Sequence, residues 1–449
     1  MPHDLTKDNI PRLLARLAWP MVLTNLLQTL FTLTDVLLAG RLLGADTMGA
    51  VTVGGQSILF LTTFSLGLTA GGQILIAQLK GAGETQGQGQ AAGALFVLSL
   101  SVGTGVALAG FFFAAPILQF LQTPEAALAD ATQYMKLTSL GLVFTFAYHA
   151  VAGVLRGLGD AKSPLVFAAV ATVLHLGLGF LLAGVWTLGV LGLALATVIA
   201  QGAAALLGAV TLYVRRHRFV FDFRPRSFLP PLQKIRQVLQ IGVPFGLQMG
   251  LLQLANLFIT RLVTPHGVAA TAALGAGSRV TNVLVMPMLA IGNAASTIAG
   301  QNLGANQPDR ANQAVRWALV YTLGFATLTM TLTLTVPARL IDLFTDDPEV
   351  LQIGVRYLSI LAWCYVGHAL HSGFNSAILA AGLTFYSLLA AAGEGLLGRM
   401  GLTWLFSGFW GLPGIFIAQT IAPYLSAILS FYFWKQGRWR QKDKADIVD

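Results

Sequence analysis

Asp35 lies inside a hydrophobic stretch, FTLTDVLLAGRLLG at residues 31–44, which is otherwise suited to crossing a bilayer. A carboxylate at that depth costs roughly 3 kcal/mol on insertion scales. Asn25, Gln28 and Thr32 precede it at spacings of three and four residues, so the four side chains share one helix face. We expect this polar face to contact a partner helix or a water-filled cavity, because lipid would leave its hydrogen-bonding groups unsatisfied.

Two roles are open for Asp35. It is either a permanently protonated strut between helices or a site that exchanges protons, since burial disfavours the charged form of a carboxylate. We favour exchange, because an amide would serve as a strut without the risk of ionisation. The same helix face, together with a neighbouring aromatic ring, is predicted to line a substrate cavity for amphipathic compounds. The predicted cavity residues are Asn25, Gln28, Phe31 and Thr32.

Glu394, in LLAAAGEGLLGRM, is the second acidic residue well inside an apolar run. Arg399 is five residues further on, which is too far round an α-helix for an ideal pair but within reach of a long side chain. His368 and His371 are other candidate partners. We interpret Glu394 as part of a structural ion pair. A site in the second half formed by Glu394, Arg399 and His371 is the alternative.

The composition identifies an integral membrane protein. Of 449 residues, 55% are hydrophobic and only 10% are charged, whereas soluble domains carry about 25% charged residues. The net charge of +9 comes from basic residues in loops beside apolar spans, so no nucleic-acid partner is expected. A single cysteine, Cys364, excludes an intramolecular disulfide and a cysteine metal cluster. No cleavable signal peptide is evident at the start, so the first span is expected to remain as an anchor.

Enzyme signals are not found in the sequence. No phosphate-binding loop of the Walker type occurs, and no hydrolase or metalloprotease motif is present. We therefore predict neither an enzyme nor an ATP-driven pump, and no cofactor.

Apolar runs of about 20 residues, each long enough to cross the hydrocarbon core, recur twelve times along the chain. The sequence therefore predicts an all-α protein with twelve transmembrane helices. The predicted spans are 13–39, 48–78, 91–120, 127–155, 164–184, 190–214, 235–262, 269–300, 312–336, 348–380, 384–408 and 411–434.

The distribution of Lys and Arg predicts the orientation. With both termini on one side, that side receives twenty basic residues and the opposite side receives five. Both termini are therefore predicted to be cytoplasmic. The basic run RRHRFVFDFRPRS, residues 215–227, lies at the midpoint and is predicted to link two halves at the anionic leaflet.

The two halves resemble each other at a nearly constant offset along the chain. Pro20 aligns with Pro244, and Gln78 aligns with Gln301. Six spans per half give both halves the same orientation, which is the parallel-repeat plan of secondary transporters, with a central cavity between the lobes. The predicted organisation is an N-terminal lobe at 1–214, a linker at 215–234, a C-terminal lobe at 235–434 and a cytoplasmic tail at 435–449.

Four motifs give the chain a specific resemblance to the multidrug and toxic compound extrusion (MATE) transporters. They are TDVLLAGRLLGA in span 1, AQLKGAGE after span 2, RGLGDAKSP after span 4 and GQNLGANQPDRA after span 8. The chain is most similar to the DinF-like branch, because it has an acidic residue in span 1 and no acidic cluster in the second half.

The resemblance implies that Asp35 is the coupling residue of the transporter. It also implies a cluster around Asp35 in which Tyr134 and Thr197 match the family positions. In span 5 the family has an asparagine and an aspartate, where this chain has His175 and Gly179. His175 is then either a satisfied core histidine or a residue that shares a proton with Asp35.

The predicted function is export of amphipathic, often cationic, drugs in exchange for external protons by alternating access. Sodium coupling is the alternative. A lipid-linked oligosaccharide flippase is disfavoured because only Arg279 and Arg399 lie deep in the apolar spans, and a channel is disfavoured by the repeat. We expect a monomer surrounded by membrane lipids in the cytoplasmic membrane of a bacterium or archaeon.

Overall fold

The computed structural model describes residues 4–216, 221 and 223–440, and all regular secondary structure within these residues is helical. Three stretches of π-helix interrupt or extend the α-helices, at Ala39–Leu43, Phe180–Val185 and Gly393–Leu402. The α-helices are α1 Ile10–Leu38, α2 Ala45–Gly81, α3 Thr85–Phe112, α4 Ala114–Phe120, α5 Glu125–Gly157, α6 Lys162–Gly179, α7 Gly189–Val214, α8 Leu232–Val263, α9 Val268–Gly304, α10 Pro308–Thr335, α11 Pro337–Asp342, α12 Pro348–Leu361, α13 Cys364–Ala380, α14 Thr384–Ala392 and α15 Thr403–Gln436.

Ten segments of the described chain are long and apolar enough to cross a membrane. The pair α12 and α13, bent by 44°, adds an eleventh when counted as one span. The segment Thr384–Gln436 has 53 residues, about 80 Å of helix at 1.5 Å per residue, which is far more than a core of about 30 Å needs. Gly411 has φ 59° and breaks this segment, so it divides into two of the predicted spans. The all-α membrane fold is confirmed.

The chain forms two compact units. One consists of Leu23–Gly246, and the other combines the described parts of Met1–Val22 and Leu247–Asp449. The boundaries fall inside α1 and α8, shortly after Pro20 and Pro244. The lobe limits drawn from the sequence and the cytoplasmic orientation of the termini stay predictions. Positions 1–3, 217–220, 222 and 441–449, which include parts of the predicted linker and tail, lie outside the described residues.

In the unit Leu23–Gly246, α5 is the central helix. It packs against α2, α3 and α7, and α6 packs against α7. An apolar cluster that includes Ala39, Val51 and Leu193 surrounds the buried side chain of Tyr134 on α5. This packing holds α5, α6 and α7 at the heights from which polar side chains can reach α1.

The second unit has its own core. Ile259 on α8, Met288 on α9, Tyr357 on α12 and Phe416 on α15 are fully or almost fully buried in one apolar cluster. The rings of Tyr357 and Phe416 meet edge to face, with centroids 4.8 Å apart. Aromatic pairs of this kind contribute about 1 kcal/mol beyond the area they bury.

Candidate functional site

Three helices direct one polar side chain each at the carboxylate of Asp35 on α1. The Tyr134 hydroxyl donates to Oδ2 at 2.7 Å, and the Thr197 hydroxyl lies 3.1 Å from the same oxygen. His175 Nε2 lies 3.0 Å from Oδ1. Asp35 is only 5% exposed and His175 is fully buried. The structure therefore brings together all four residues that the sequence and the family resemblance proposed for ion coupling.

The imidazole of His175 is held from two further directions. Its Nε2 lies 3.1 Å from the Thr197 hydroxyl, and the ring of Phe31 stacks on it with centroids 4.0 Å apart. Its Nδ1 is buried and has no hydrogen-bond partner in the described part of the chain. A proton on Nδ1 would therefore be a buried donor without an acceptor, which costs about 1–3 kcal/mol. The geometry fits a neutral histidine that carries its proton on Nε2 and donates it to Asp35.

The polar contacts around this one carboxylate have a chemical consequence. Tyr134, Thr197 and His175 all have a proton to donate, and a deprotonated Asp35 has the lone pairs to accept. Charge-assisted hydrogen bonds of this kind are about twice as strong as neutral ones. The arrangement is therefore complementary to the anionic form of Asp35.

Of the four residues predicted to line a substrate cavity, only one contacts the cluster around Asp35. Phe31 belongs to the carboxylate cluster, through its stacking on His175. Thr32 is exposed, and its hydroxyl donates to the backbone oxygen of Gln28 at 3.1 Å. Gln28 and Asn25 are partly buried on the same helix, and the backbone oxygen of Asn25 accepts from Thr29 at 3.1 Å. None of the three polar residues has a hydrogen bond to Asp35 among the described contacts, so their role in a cavity stays a prediction.

Gly179 occupies the position where the family has an aspartate. A Cβ atom at Gly179 would lie 2.6 Å from the Cδ1 atom of Leu38. The π-helical segment Phe180–Val185 follows directly, and another, Ala39–Leu43, begins four residues after Asp35. Single turns of π-helix are common at functional sites. At Gly179, α6 therefore approaches the end of α1 closely.

Gly54 on α2 is a residue that the sequence analysis missed. A Cβ atom there would lie 2.9 Å from the Tyr134 ring, whereas one at the next residue, Gly55, would meet nothing within 4 Å. The internal repeat could have identified this residue, because Gly277 occupies the equivalent position in the second half of the chain. Gly54 therefore sets the position of the Tyr134 ring, and with it the hydroxyl that contacts Asp35.

Gly54→Ala is expected to lower the transport rate several-fold, because the added methyl group displaces the Tyr134 ring and lengthens its hydrogen bond to Asp35. Overpacking of this kind costs about 1–3 kcal/mol. Gly55→Ala is the matched control, since it makes the same change in helix propensity in open space. The measurement is transport per folded molecule in proteoliposomes, and equal rates for the two variants would contradict the role of Gly54.

The second acidic site has a geometry that an α-helix would not provide. In the π-helical segment Gly393–Leu402 the hydrogen bonds run from residue i to i+5, so Glu394 and Arg399 lie one turn apart. Arg399 Nε and Nη2 donate to Glu394 Oε1 at 3.1 and 2.9 Å, and Ser426 donates to Oε2 at 2.7 Å. His371 has no hydrogen bond to Glu394 among the described contacts; its Nδ1 lies 3.0 Å from Ser430 Oγ. The expected ion pair is present, but through a helix type that the sequence did not indicate.

An all-helical membrane protein with a buried, hydrogen-bonded carboxylate in its first span belongs to the general class of multi-pass membrane proteins in which such a residue marks a candidate functional site. Comparison with known proteins narrows this class. The family model MatE matches residues 20–181 and 244–405, which is more than half of the chain. The chain belongs to the MATE family, whose members are transporters and not enzymes. The two matches begin at the aligned prolines Pro20 and Pro244.

Individual relatives match along the whole length. The chain is 30% identical over 438 residues to the "Probable multidrug resistance protein YpnP" of Bacillus subtilis (strain 168), covering 98% of each chain. It is 28% identical over 454 residues to the "Probable multidrug resistance protein YoeA" of the same organism, covering 99% of this chain and 97% of the relative. A solved structure described as an outward-facing conformation of a multidrug resistance MATE family transporter of the MOP superfamily has a TM-score of 0.92, at 21% identity and 98% coverage of both chains. That structure shows the same fold.

Proposed function

We propose that this protein is a secondary active exporter of amphipathic or cationic organic compounds, driven by the entry of external protons. The observation that carries the proposal is the set of contacts around Asp35, a buried carboxylate with three hydrogen-bonding neighbours. The substrate class is supported by the names of the two Bacillus subtilis relatives, both described as probable multidrug resistance proteins. Bacterial relatives also support a cytoplasmic-membrane location.

The coupling step is the arrival of a proton on Asp35. The new O–H group must donate, and a hydroxyl neighbour can accept it only by turning its own hydrogen to another oxygen, as Thr197 can towards the backbone oxygen of Leu193 at 3.2 Å. His175 Nε2 accepts only if its own proton moves to Nδ1, which has no acceptor in the described chain. Protonation therefore removes the charge-assisted character of the hydrogen bonds to Asp35 and rearranges the cluster, and the hold of α5, α6 and α7 on α1 weakens.

Release of α1 links protonation to the transport cycle. Pro20 lies inside α1 and has no backbone N–H group, so it provides a bend point in that helix. A change in the shape of α1 alters the space available to a bound compound. Proton entry is thereby exchanged for export of the compound, and deprotonation on the inner side restores the hydrogen-bonded form. This is the alternating-access cycle predicted from the sequence.

The donors around Asp35 favour the proton over sodium. Sodium, like other hard cations, requires several oxygen ligands that present lone pairs. At this site one carboxylate, two hydroxyls and an imidazole nitrogen make a thin ligand shell for such an ion. A proton needs only the carboxylate itself.

Transport in proteoliposomes tests the coupling ion. Purified protein is reconstituted, ethidium is supplied on one side, and either a pH gradient or a sodium gradient is imposed alone. Ethidium movement opposite to the proton gradient is expected, and the sodium gradient alone should leave ethidium at the level of empty liposomes. Uptake driven by the sodium gradient alone would overturn proton coupling, and no movement under either gradient would overturn the proposed exporter.

A further inference from the structure

A cavity in the unit Leu23–Gly246 has one wall made by the described part of the basic segment that connects α7 to α8. The first two turns of α3, the last turn of α7 and the residues just before α8 complete its lining. Its volume is about 1180 Å³, whereas pockets for drug-sized ligands have about 300–1,000 Å³. The cavity is therefore large enough for a sizeable ligand, and the coupling step at Asp35 does not use it.

The connecting segment is held in place on α3 by aromatic packing. Phe221 is only 2% exposed, and its ring lies 5.4 Å from that of Phe96 on α3 and 5.3 Å from that of Phe228, measured between centroids. A Cβ atom at Gly93 on α3 would overlap the backbone oxygen of Ser227, so the segment rests directly on this helix. The side chains between these anchored residues therefore have defined positions around the cavity.

The charge of the cavity lining is positive. It includes three arginines and, among the described residues, no acidic side chain; the arginines are Arg216, Arg224 and Arg226. The guanidinium of Arg216 lies over the ring of Tyr213, 4.5 Å from its centroid, which leaves the positive charge without a counter-ion. Arg226 is exposed, and no described residue pairs with its guanidinium. The lining therefore favours an anionic ligand.

The N-terminal end of α3 adds to this preference. Thr85 and Gln86 in its first turn line the cavity, and no side chain caps the helix. The free N–H groups and the dipole of a helix start attract anions, phosphate in particular. Glu84, the acid just before this turn, lies close enough to the buried Lys234 for their charges to attract. A cation thus already partners the acid nearest to the cavity along the chain.

Apolar side chains beside the cavity indicate a ligand that is also lipid-like. Both α7, which ends at Val214, and α8, which begins at Leu232, belong to segments apolar enough to cross a membrane. The cavity therefore lies where these spans leave the hydrocarbon core. Leu229, in the lining, and Leu232 are each 80% exposed. Leucines exposed at this level can contact acyl chains, while the arginines face the headgroup region.

We propose that this cavity binds the phosphate of an anionic phospholipid headgroup. Arginine suits phosphate because its planar N–H groups bond two oxygens at once. A soluble phosphate compound shares the headgroup chemistry, but the exposed Leu229 and Leu232 favour a ligand with acyl chains. A bound headgroup joins the ends of α3, α7 and α8 through one ligand. The inference goes beyond the proposed export function, since it involves neither Asp35 nor the transported compound.

Native mass spectrometry of the full chain in detergent tests the inference, because detergent provides no anionic surface that would attract basic residues in general. Phosphatidylglycerol is titrated into the purified protein, with phosphatidylcholine as the neutral comparison. The unaltered protein should bind phosphatidylglycerol more tightly. Arg224→Gln combined with Arg226→Gln is expected to weaken that binding by roughly tenfold, the value of one charge-assisted hydrogen bond. Binding of phosphatidylcholine should be the same in both proteins, as should the melting temperature, since both arginines are exposed.

Lys162→Gln combined with Arg236→Gln is the matched control. It removes the same number of positive charges from exposed positions of the same unit, outside the cavity lining, and should leave phosphatidylglycerol binding unchanged. Equal losses in the two double variants, no loss in either, or no preference of the unaltered protein for phosphatidylglycerol would each overturn the inference. Displacement of phosphatidylglycerol by an equal concentration of glycerol 3-phosphate would assign the cavity to a soluble phosphate compound and also overturn it. Export is tested separately by the gradient experiment, so the two proposals fail independently.

Discussion

Asp35→Asn is expected to reduce export to the rate of empty liposomes while the protein still folds. The amide keeps the size of the carboxylate, and its oxygen still accepts from Tyr134 and Thr197, which the structure places 2.7 and 3.1 Å away. Its NH₂ group faces His175, so the variant imitates the protonated state and cannot return to the anionic one. The change in the free energy of unfolding should be about 1 kcal/mol, the net value of one hydrogen bond.

The measurement is ethidium transport under a pH gradient, with thermal melting of the purified protein as the check on folding. Thr34→Val is the matched control. Thr34 is buried beside Asp35, but its hydroxyl donates to the backbone oxygen of Leu30 within the same helix. Undiminished transport by a well-folded Asp35→Asn variant would leave Asp35 as a strut.

A variant that removes one hydrogen bond but keeps the packing distinguishes a loss of proton coupling from a loss of packing. Tyr134→Phe removes one of the donors and retains the ring that packs beside Gly54. Transport should fall partially, because the anionic form of Asp35 loses its shortest hydrogen bond. A Tyr134→Phe variant that transports ethidium at the unaltered rate would show that the Tyr134 contact is not part of coupling.

Glu394→Gln is expected to have the largest effect on stability. It removes the charge opposite Arg399 and leaves a positive charge that is only 19% exposed. Breaking a buried ion pair by removing one partner costs about 3–5 kcal/mol, and partial exposure puts this pair at the lower end. The melting temperature should therefore fall by roughly 5 °C or more.

A double-mutant cycle checks this explanation. Adding Arg399→Gln to Glu394→Gln removes the unpaired charge, so the double variant should melt closer to the unaltered protein than Glu394→Gln alone. Glu125→Gln makes the same chemical change at an exposed acid in the first turn of α5 and should have little effect. A normal melting temperature for Glu394→Gln would show that the ion pair does not stabilise the fold.

The helical membrane fold followed from composition because hydrophobicity is a property of each residue, and a run of about 20 apolar residues leaves few alternatives in a bilayer. The same reasoning identified Asp35, since a carboxylate in such a run must have a partner or a function. The repeat was also visible in the sequence, because Pro20 and Pro244 recur at an offset that the family model reproduces.

Residue spacing alone did not predict the contacts of Asp35. Tyr134, His175 and Thr197 are 99, 140 and 162 residues away along the chain, and they were proposed only because the chain resembles a known family. Whether a hydroxyl reaches 2.7 Å from a carboxylate, as that of Tyr134 does, depends on the rotation and height of each helix. Those quantities are set by the packing of the whole unit, for example by the close approach of the Tyr134 ring to Gly54.

What the sequence by itself determined about this protein is its class, its span-forming segments, its internal repeat and the importance of a buried acid in the first span. Tertiary structure alone decided the local geometry. The spacing of Glu394 and Arg399 looked poor for an α-helix, yet the π-helical segment brings them to 2.9 Å. A π-helix has no clear sequence signature, because residues far away in the sequence stabilise it. Here Ser426 donates a hydrogen bond to Glu394, and Asn256 accepts one from Arg399. Local preference therefore sets the type of element, and long-range packing sets the ångström-scale contacts on which function depends.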